Sequence, residues 1–246
     1  MTPIQIAFFV VACILIGLSK GGLGGPLPVT LAIPMLSLVM PPTEAVPLIL
    51  PFLIFADWFA LRAYWKQWDI HYIKLMLPMG IVGVICGGLL FSVISDTYLA
   101  ILIGVFTIIV IVYKLLSDRL TSVTYEHQKW HGYLAGWFSA FGSTLANSGG
   151  PPFTIYMLLQ KMKPVTFIAT TTLYFSIINL LKVPIFVQQG KLNLDMLLSV
   201  LWALPIIPVG VWLGRKALNY VSQPVFERIM MILLALSIVF LFATLR

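Results

Sequence analysis

Ten apolar stretches run along the chain, at 4–19, 23–40, 43–64, 70–94, 97–116, 131–145, 148–160, 164–187, 194–214 and 224–245. Short connections join them, apart from a polar linker at 117–129. Few folds accept such a pattern. A bilayer core about 30 Å thick takes around 20 helical residues. Backbone placed there must satisfy its own N–H and C=O groups, which a helix does within one segment. A soluble domain carries about 25% charged residues to cover its surface. Here 9% are charged and 60% hydrophobic, with a mean hydropathy of +1.02. The predicted class is an all-α polytopic membrane protein whose main solvent is the lipid bilayer.

The net charge of +7 invites a nucleic-acid reading. The bases are instead divided among short connections, the pattern of topology-setting charge. No nucleic-acid partner is expected. Cys13 and Cys86 lie in apolar stretches without a CxxC motif and read as buried small hydrophobes. Residues 1–6 lack the basic region and cleavage site of a secretory signal, so the first segment is expected to stay in place.

The two sets of five segments are copies. Gly25-Pro26 matches Gly150-Pro151, and Leu77-Pro78 matches Leu204-Pro205. Val82-Gly83-Val84 with Gly87 matches Val209-Gly210-Val211 with Gly214, and Ser95 matches Ser222. Charge sets their relative orientation. Arg62, Lys66 and Lys74 flank the third connection of the first copy, whereas Asp96 alone marks the next. In the second copy Lys161 and Lys163 precede the third segment, and Arg215, Lys216 and Arg228 surround the fourth connection. These groups, with Lys114, Arg119 and Lys129 around the linker, share the cytoplasmic side only if the copies are inverted. Lys191 and Arg246 fall outside. The expected organisation is a first transmembrane repeat at 1–116, a cytoplasmic linker at 117–129 and a second repeat at 130–246. Inverted-topology repeats of about five helical segments each are common in secondary transporters, which bind solute where the repeats meet.

Broken or re-entrant helices are expected where the first two segments of each copy join. Ser19-Lys20-Gly21-Gly22-Leu23-Gly24-Gly25-Pro26 is poor material for a continuous helix, and Pro26 suits the first turn of a new one. The free N–H groups of that turn can receive an anion. Lys20 adds a cation that has no counterpart, since Leu145 stands at the matching position. An interfacial lysine among closely packing glycines is the plainer alternative. In the second copy Asn147 replaces Gly22 and Ser148 replaces Leu23, ahead of Gly149 and Gly150. Either of the two could instead cap the short helix that follows. The substrate-binding set predicted from these junctions is Ser19, Lys20, Gly22, Gly24, Gly25, Asn147, Ser148, Gly149 and Gly150.

Asp57 and Lys182 lie inside apolar third segments, where an ionised group is expensive unless paired. They are candidates to pair with each other or with Lys20, and Asp57 is a candidate proton carrier. Thr170, Thr171, Thr172, Tyr174, Ser176 and Asn179 form a polar stripe along the same segment as Lys182. Asp57, Thr171 and Lys182 are therefore read as coupling or path residues. The histidines, His71, His127 and His131, have no metal-ligand spacing. No catalytic residue, metal site or cofactor is expected.

The Gly-Gly-Leu-Gly-Gly-Pro run at 21–26, the Asn-Ser-Gly-Gly-Pro run at 147–151 and Pro41-Pro42 with Glu44 resemble the sulfite exporter TauE/SafE family of membrane permeases. The resemblance spans about residues 8–244. It implies export of a small anion, sulfite or an organosulfonate such as sulfoacetate, across the bacterial inner membrane. It also implies that the two glycine-rich junctions surround the substrate. Protons as coupling ions and a homo-oligomer are further expectations. Carriage of another small solute, or a non-transporting scaffold subunit, are the alternatives that the sequence leaves open.

Overall fold

A computed structural model of the chain describes residues 1–21, 27–120, 128–160, 162–217 and 223–244. Among these there is no strand. The helices are α1 (Pro3–Lys20), α2 (Leu27–Leu36), α3 (Pro42–Leu48), α4 (Leu50–Ala63), α5 (Ile70–Val93) and α6 (Asp96–Leu120). After the linker come α7 (Lys129–Ala146), α8 (Gly150–Leu158), α9 (Pro164–Gln188), α10 (Leu194–Val200), α11 (Ile206–Ala217) and α12 (Gln223–Thr244). Helix α6 runs past 116, the boundary expected from hydropathy, because Lys114 to Leu120 keep a helix-forming composition beyond the apolar run.

Five helical stretches among the described residues are long and apolar enough to cross a membrane: Pro3–Lys20, Pro42–Ala63, Ile70–Val93, Asp96–Tyr113 and Val165–Gln188. A sixth is the pair Leu194–Ala203 and Ile206–Gly214, bent by 45°. Pro205 lies at that bend, where its missing N–H interrupts the helical ladder. Helices α2 and α8 have 10 and 9 residues. At about 1.5 Å per residue they cover roughly half of a bilayer core about 30 Å thick.

Two close crossings hold the bundle together. Helix α5 lies against α7, and α11 against α1. The contact residues form a Gly-x-x-x-Gly pair on each of α5 and α11. A methyl on Gly83 would stand 2.5 Å from the Trp137 carbonyl, and one on Gly210 would stand 2.9 Å from the Ile14 carbonyl. Lipid gives apolar helices no hydrophobic reason to associate, so backbone approach at small residues carries the packing. Outside these seams large apolar side chains point outward, among them Leu89, Val93, Val239 and Phe240. In water that surface would be unstable; facing acyl chains it is not.

Candidate functional site

Helix α7 ends by geometry rather than by length. Asn147 adopts the left-handed conformation at φ 49°, and the Ser148 N–H bonds back to the Gly142 carbonyl at 3.2 Å. That closure satisfies end carbonyls and reverses the chain. Helix α8 then starts from Gly149, where an added methyl would run into the Ser139 carbonyl. Only glycine lets α8 begin so close to α7. No side chain caps α8, so neither Asn147 nor Ser148 takes the capping role open to it; the Ser148 hydroxyl donates to the Ala146 carbonyl at 3.2 Å. Pro151 and Pro152 carry no N–H, so the first turn of α8 presents fewer backbone donors than an ordinary helix start. Side-chain donors matter correspondingly more here.

A cavity of about 220 Å³ lies between this junction and the end of α1. Its wall draws Ser19 and Lys20 from α1, Thr30 from α2, Tyr64 from the end of α4, Ser143 and Asn147 from the end of α7, and Gly150 and Thr154 from α8. Helix α9 contributes Phe167, Ile168, Thr171, Thr172, Phe175 and Asn179. Positions 168, 171, 172, 175 and 179 follow helical spacing along one face. The volume is below the range of roughly 300–1,000 Å³ for drug-sized ligands and suits a smaller solute.

Two buried charges stand at this wall. Asp57, 1% exposed, accepts from Lys20 Nζ at 2.5 Å and from Asn179 Nδ2 at 2.8 Å. Lys182, fully buried, donates to the Ser143 carbonyl and hydroxyl, both at 3.0 Å, and to Asn147 Oδ1 at 2.9 Å. Of the two pairings considered for Asp57, the ion pair is with Lys20. Lys20 sits in the last turn of α1, where a cation also complements the helix dipole. Counting the three groups as ionised leaves one positive charge in excess around the cavity.

Of the predicted residues, Ser19, Lys20, Asn147, Gly150 and Thr171 line the cavity. Ser148 and Gly149 are buried at the α7–α8 turn, and Asp57 and Lys182 brace the wall through hydrogen bonds. Gly22, Gly24 and Gly25 lie outside the described residues. The polar stripe on α9 divides. Thr171, Thr172 and Asn179 face the cavity, whereas Tyr174 donates to the Gly136 carbonyl and Ser176 to the Thr172 carbonyl. Thr30 and Thr154 were not singled out from sequence, and Ser143, the first residue of the second junction at 143–151, was left out of the predicted binding set. Ser143 could have been found as the residue one helical turn before Asn147.

The profile of the family described as Sulfite exporter TauE/SafE matches residues 8–241. The chain belongs to this family. Members are exporters rather than enzymes, and with five to six apolar spans among its described residues the chain is a multi-pass protein of the bacterial inner membrane. A probable sulfite/organosulfonate exporter TauE from Cupriavidus necator is 27% identical over 143 residues, 57% of this chain. The chain spans 54% of that relative's length. No solved structure matches.

Proposed function

We propose that the protein is a secondary transporter that exports a small anion, sulfite or an organosulfonate, across the inner membrane. The observation that carries this reading is the cavity where Lys20 and the Asn147 and Asn179 amides converge, with one positive charge in excess when Lys20, Asp57 and Lys182 are counted as ionised. A monoanion placed there offsets that excess, whereas a cation adds to it. The apolar wall of Phe167, Ile168 and Phe175 suits the carbon end of an organosulfonate. Outward movement of an anion is favoured by an inside-negative potential, about 2.3 kcal/mol per charge at roughly 100 mV. Asp57 enters as the counter-ion of Lys20 rather than as a proton carrier.

Alternating access is expected from two inverted repeats, 1–116 and 130–246, joined by the 117–129 linker. Reciprocal packing supports that reading. The first helix of each half lies against the Gly-x-x-x-Gly helix of the other, as α1 with α11 and α7 with α5. Such an exchange follows when two inverted copies interlock around one site.

The test is counterflow of labelled sulfite into proteoliposomes, with sulfoacetate as competitor. Saturable exchange is expected, falling at least tenfold in Lys20→Ala, since about 1.4 kcal/mol of lost binding is a factor of ten. Correctly inserted protein that exchanges neither anion overturns the substrate class.

A further inference from the structure

Lys182 is held in an unusual way for a buried base. An ammonium has three N–H donors and no acceptor. All three find oxygens here: the Ser143 carbonyl, the Ser143 hydroxyl and Asn147 Oδ1. None of these carries a formal charge, so the arrangement is not a buried ion pair. Its effect falls on the neighbours. It engages the Asn147 amide oxygen and the Ser143 hydroxyl oxygen and leaves their hydrogens over.

The Asn147 amide cannot sit the other way round, because its NH₂ group would then face the ammonium. Its Nδ2 is consequently turned away from Lys182, and it is buried without a hydrogen-bond partner. An unspent buried donor ordinarily destabilises the fold that holds it. Asn147 and Ser143 both line the cavity. The left-handed backbone of Asn147 fixes the root of the side chain as Lys182 fixes its tip.

We propose that Lys182 is a positioning residue that sets the polarity of the α7–α8 junction. By holding the Asn147 oxygen it presents the Asn147 NH₂ group as a donor to an oxygen of the bound anion, and so makes the site selective for anions over cations. This rests on the anion-transport reading above. Lys20 supplies attraction at the other junction, while Lys182 supplies orientation without touching the solute.

Asn147→Asp is the decisive variant, since it keeps size and shape and replaces the donor with an acceptor. Lys182 gains a carboxylate partner, so the thermal midpoint is expected to hold or rise. Exchange of labelled sulfite is expected to fall at least tenfold. A second pair of variants separates orientation from packing. Lys182→Arg keeps a donor-only head and is expected to retain exchange within about threefold. Lys182→Met keeps the length of the chain, frees the amide, and is expected to raise the half-saturation for sulfite about tenfold. A lysine that merely fills space predicts the reverse order, with Met tolerated and Arg not. Exchange by Asn147→Asp at the wild-type rate, or Met outperforming Arg, overturns the proposal while leaving the transport reading intact. Wild-type protein that exchanges neither sulfite nor sulfoacetate overturns both.

Discussion

Replacing Asp57 by Asn tests whether the ion pair with Lys20 is a structural device that a bound anion can replace. Asp57 receives two donors, Lys20 Nζ at 2.5 Å and Asn179 Nδ2 at 2.8 Å. An asparagine there has one oxygen and one NH₂ group, so one of the two donors meets another donor. Breaking a buried pair costs about 3–5 kcal/mol. The Lys20 side chain keeps 19% exposure at the cavity, which screens its charge and brings the expectation down to about 2–3 kcal/mol. For a chain of this size that lowers the thermal midpoint by roughly 4–12 °C, compared at one scan rate because unfolding is expected to be irreversible. In the double variant Lys20→Met, Asp57→Asn the introduced amide oxygen has only Asn179 to accept from. The conflict disappears, and the double variant is expected to be more stable than Asp57→Asn alone. Sulfite gives a second readout. In Asp57→Asn an anion takes the vacated place beside Lys20, and at about 100 times its Kd it stabilises by about 2.7 kcal/mol. In the wild type the same anion competes with Asp57, and the gain is smaller. Additive single variants, or equal sulfite shifts in wild type and Asp57→Asn, refute the reasoning.

Three further variants probe the frame rather than the site. Gly136→Ala drives a methyl into the Met76 carbonyl in the α5–α7 seam, so the midpoint is expected to fall by the equivalent of about 1–3 kcal/mol. Gly190→Ala, at φ +67° with open space around it, meets only backbone strain of about 1–2 kcal/mol and is expected to fall less; the two midpoints measured side by side check the order. Asp96 accepts from the Thr43 N–H at 3.0 Å and the Thr43 hydroxyl at 2.8 Å, pinning α3 to the start of α6. Asp96→Ala is expected to cost about 2 kcal/mol in stability while sulfite exchange per folded molecule stays unchanged.

The helical class was legible because hydropathy acts over whole segments. A single bilayer-length run already excludes most alternatives, and neighbouring runs repeat the message. The break between α7 and α8 was legible too, since glycine and proline act on the backbone where they stand. Hydropathy does not see bends inside an apolar run. The stretch 43–64 is two helices, α3 and α4, and 194–214 bends by 45°. Nor does it rank polar residues within a stripe. On α9 Thr171 lines the cavity while Thr170, fully buried, accepts from the Asp69 N–H, a difference of about 100° around the helix axis that only packing decides. Lys20 with Asp57 was one of two pairings open to that carboxylate, the other being with Lys182. Choosing it required knowing that α1 and α4 meet there.

Asp57 and Lys182 stand 125 residues apart, the same separation as Gly25 and Gly150. Under the proposed repeat organisation they are equivalent positions in the two copies, occupied by opposite charges. Each braces residues at the break of its own copy: Asp57 through Lys20 beside the first, Lys182 through Ser143 and Asn147 at the second. The signs follow from what each break holds. Where the first copy has a lysine, the brace must accept; where the second has an asparagine and a serine, a brace that only donates commits their oxygens and leaves their hydrogens. Opposite charges at matched positions therefore give one electrostatic result, donors facing the cavity from both junctions. Divergence of this kind is expected when two inverted copies are recruited to one asymmetric solute. The architecture repeats, while the side chains that meet the solute need not.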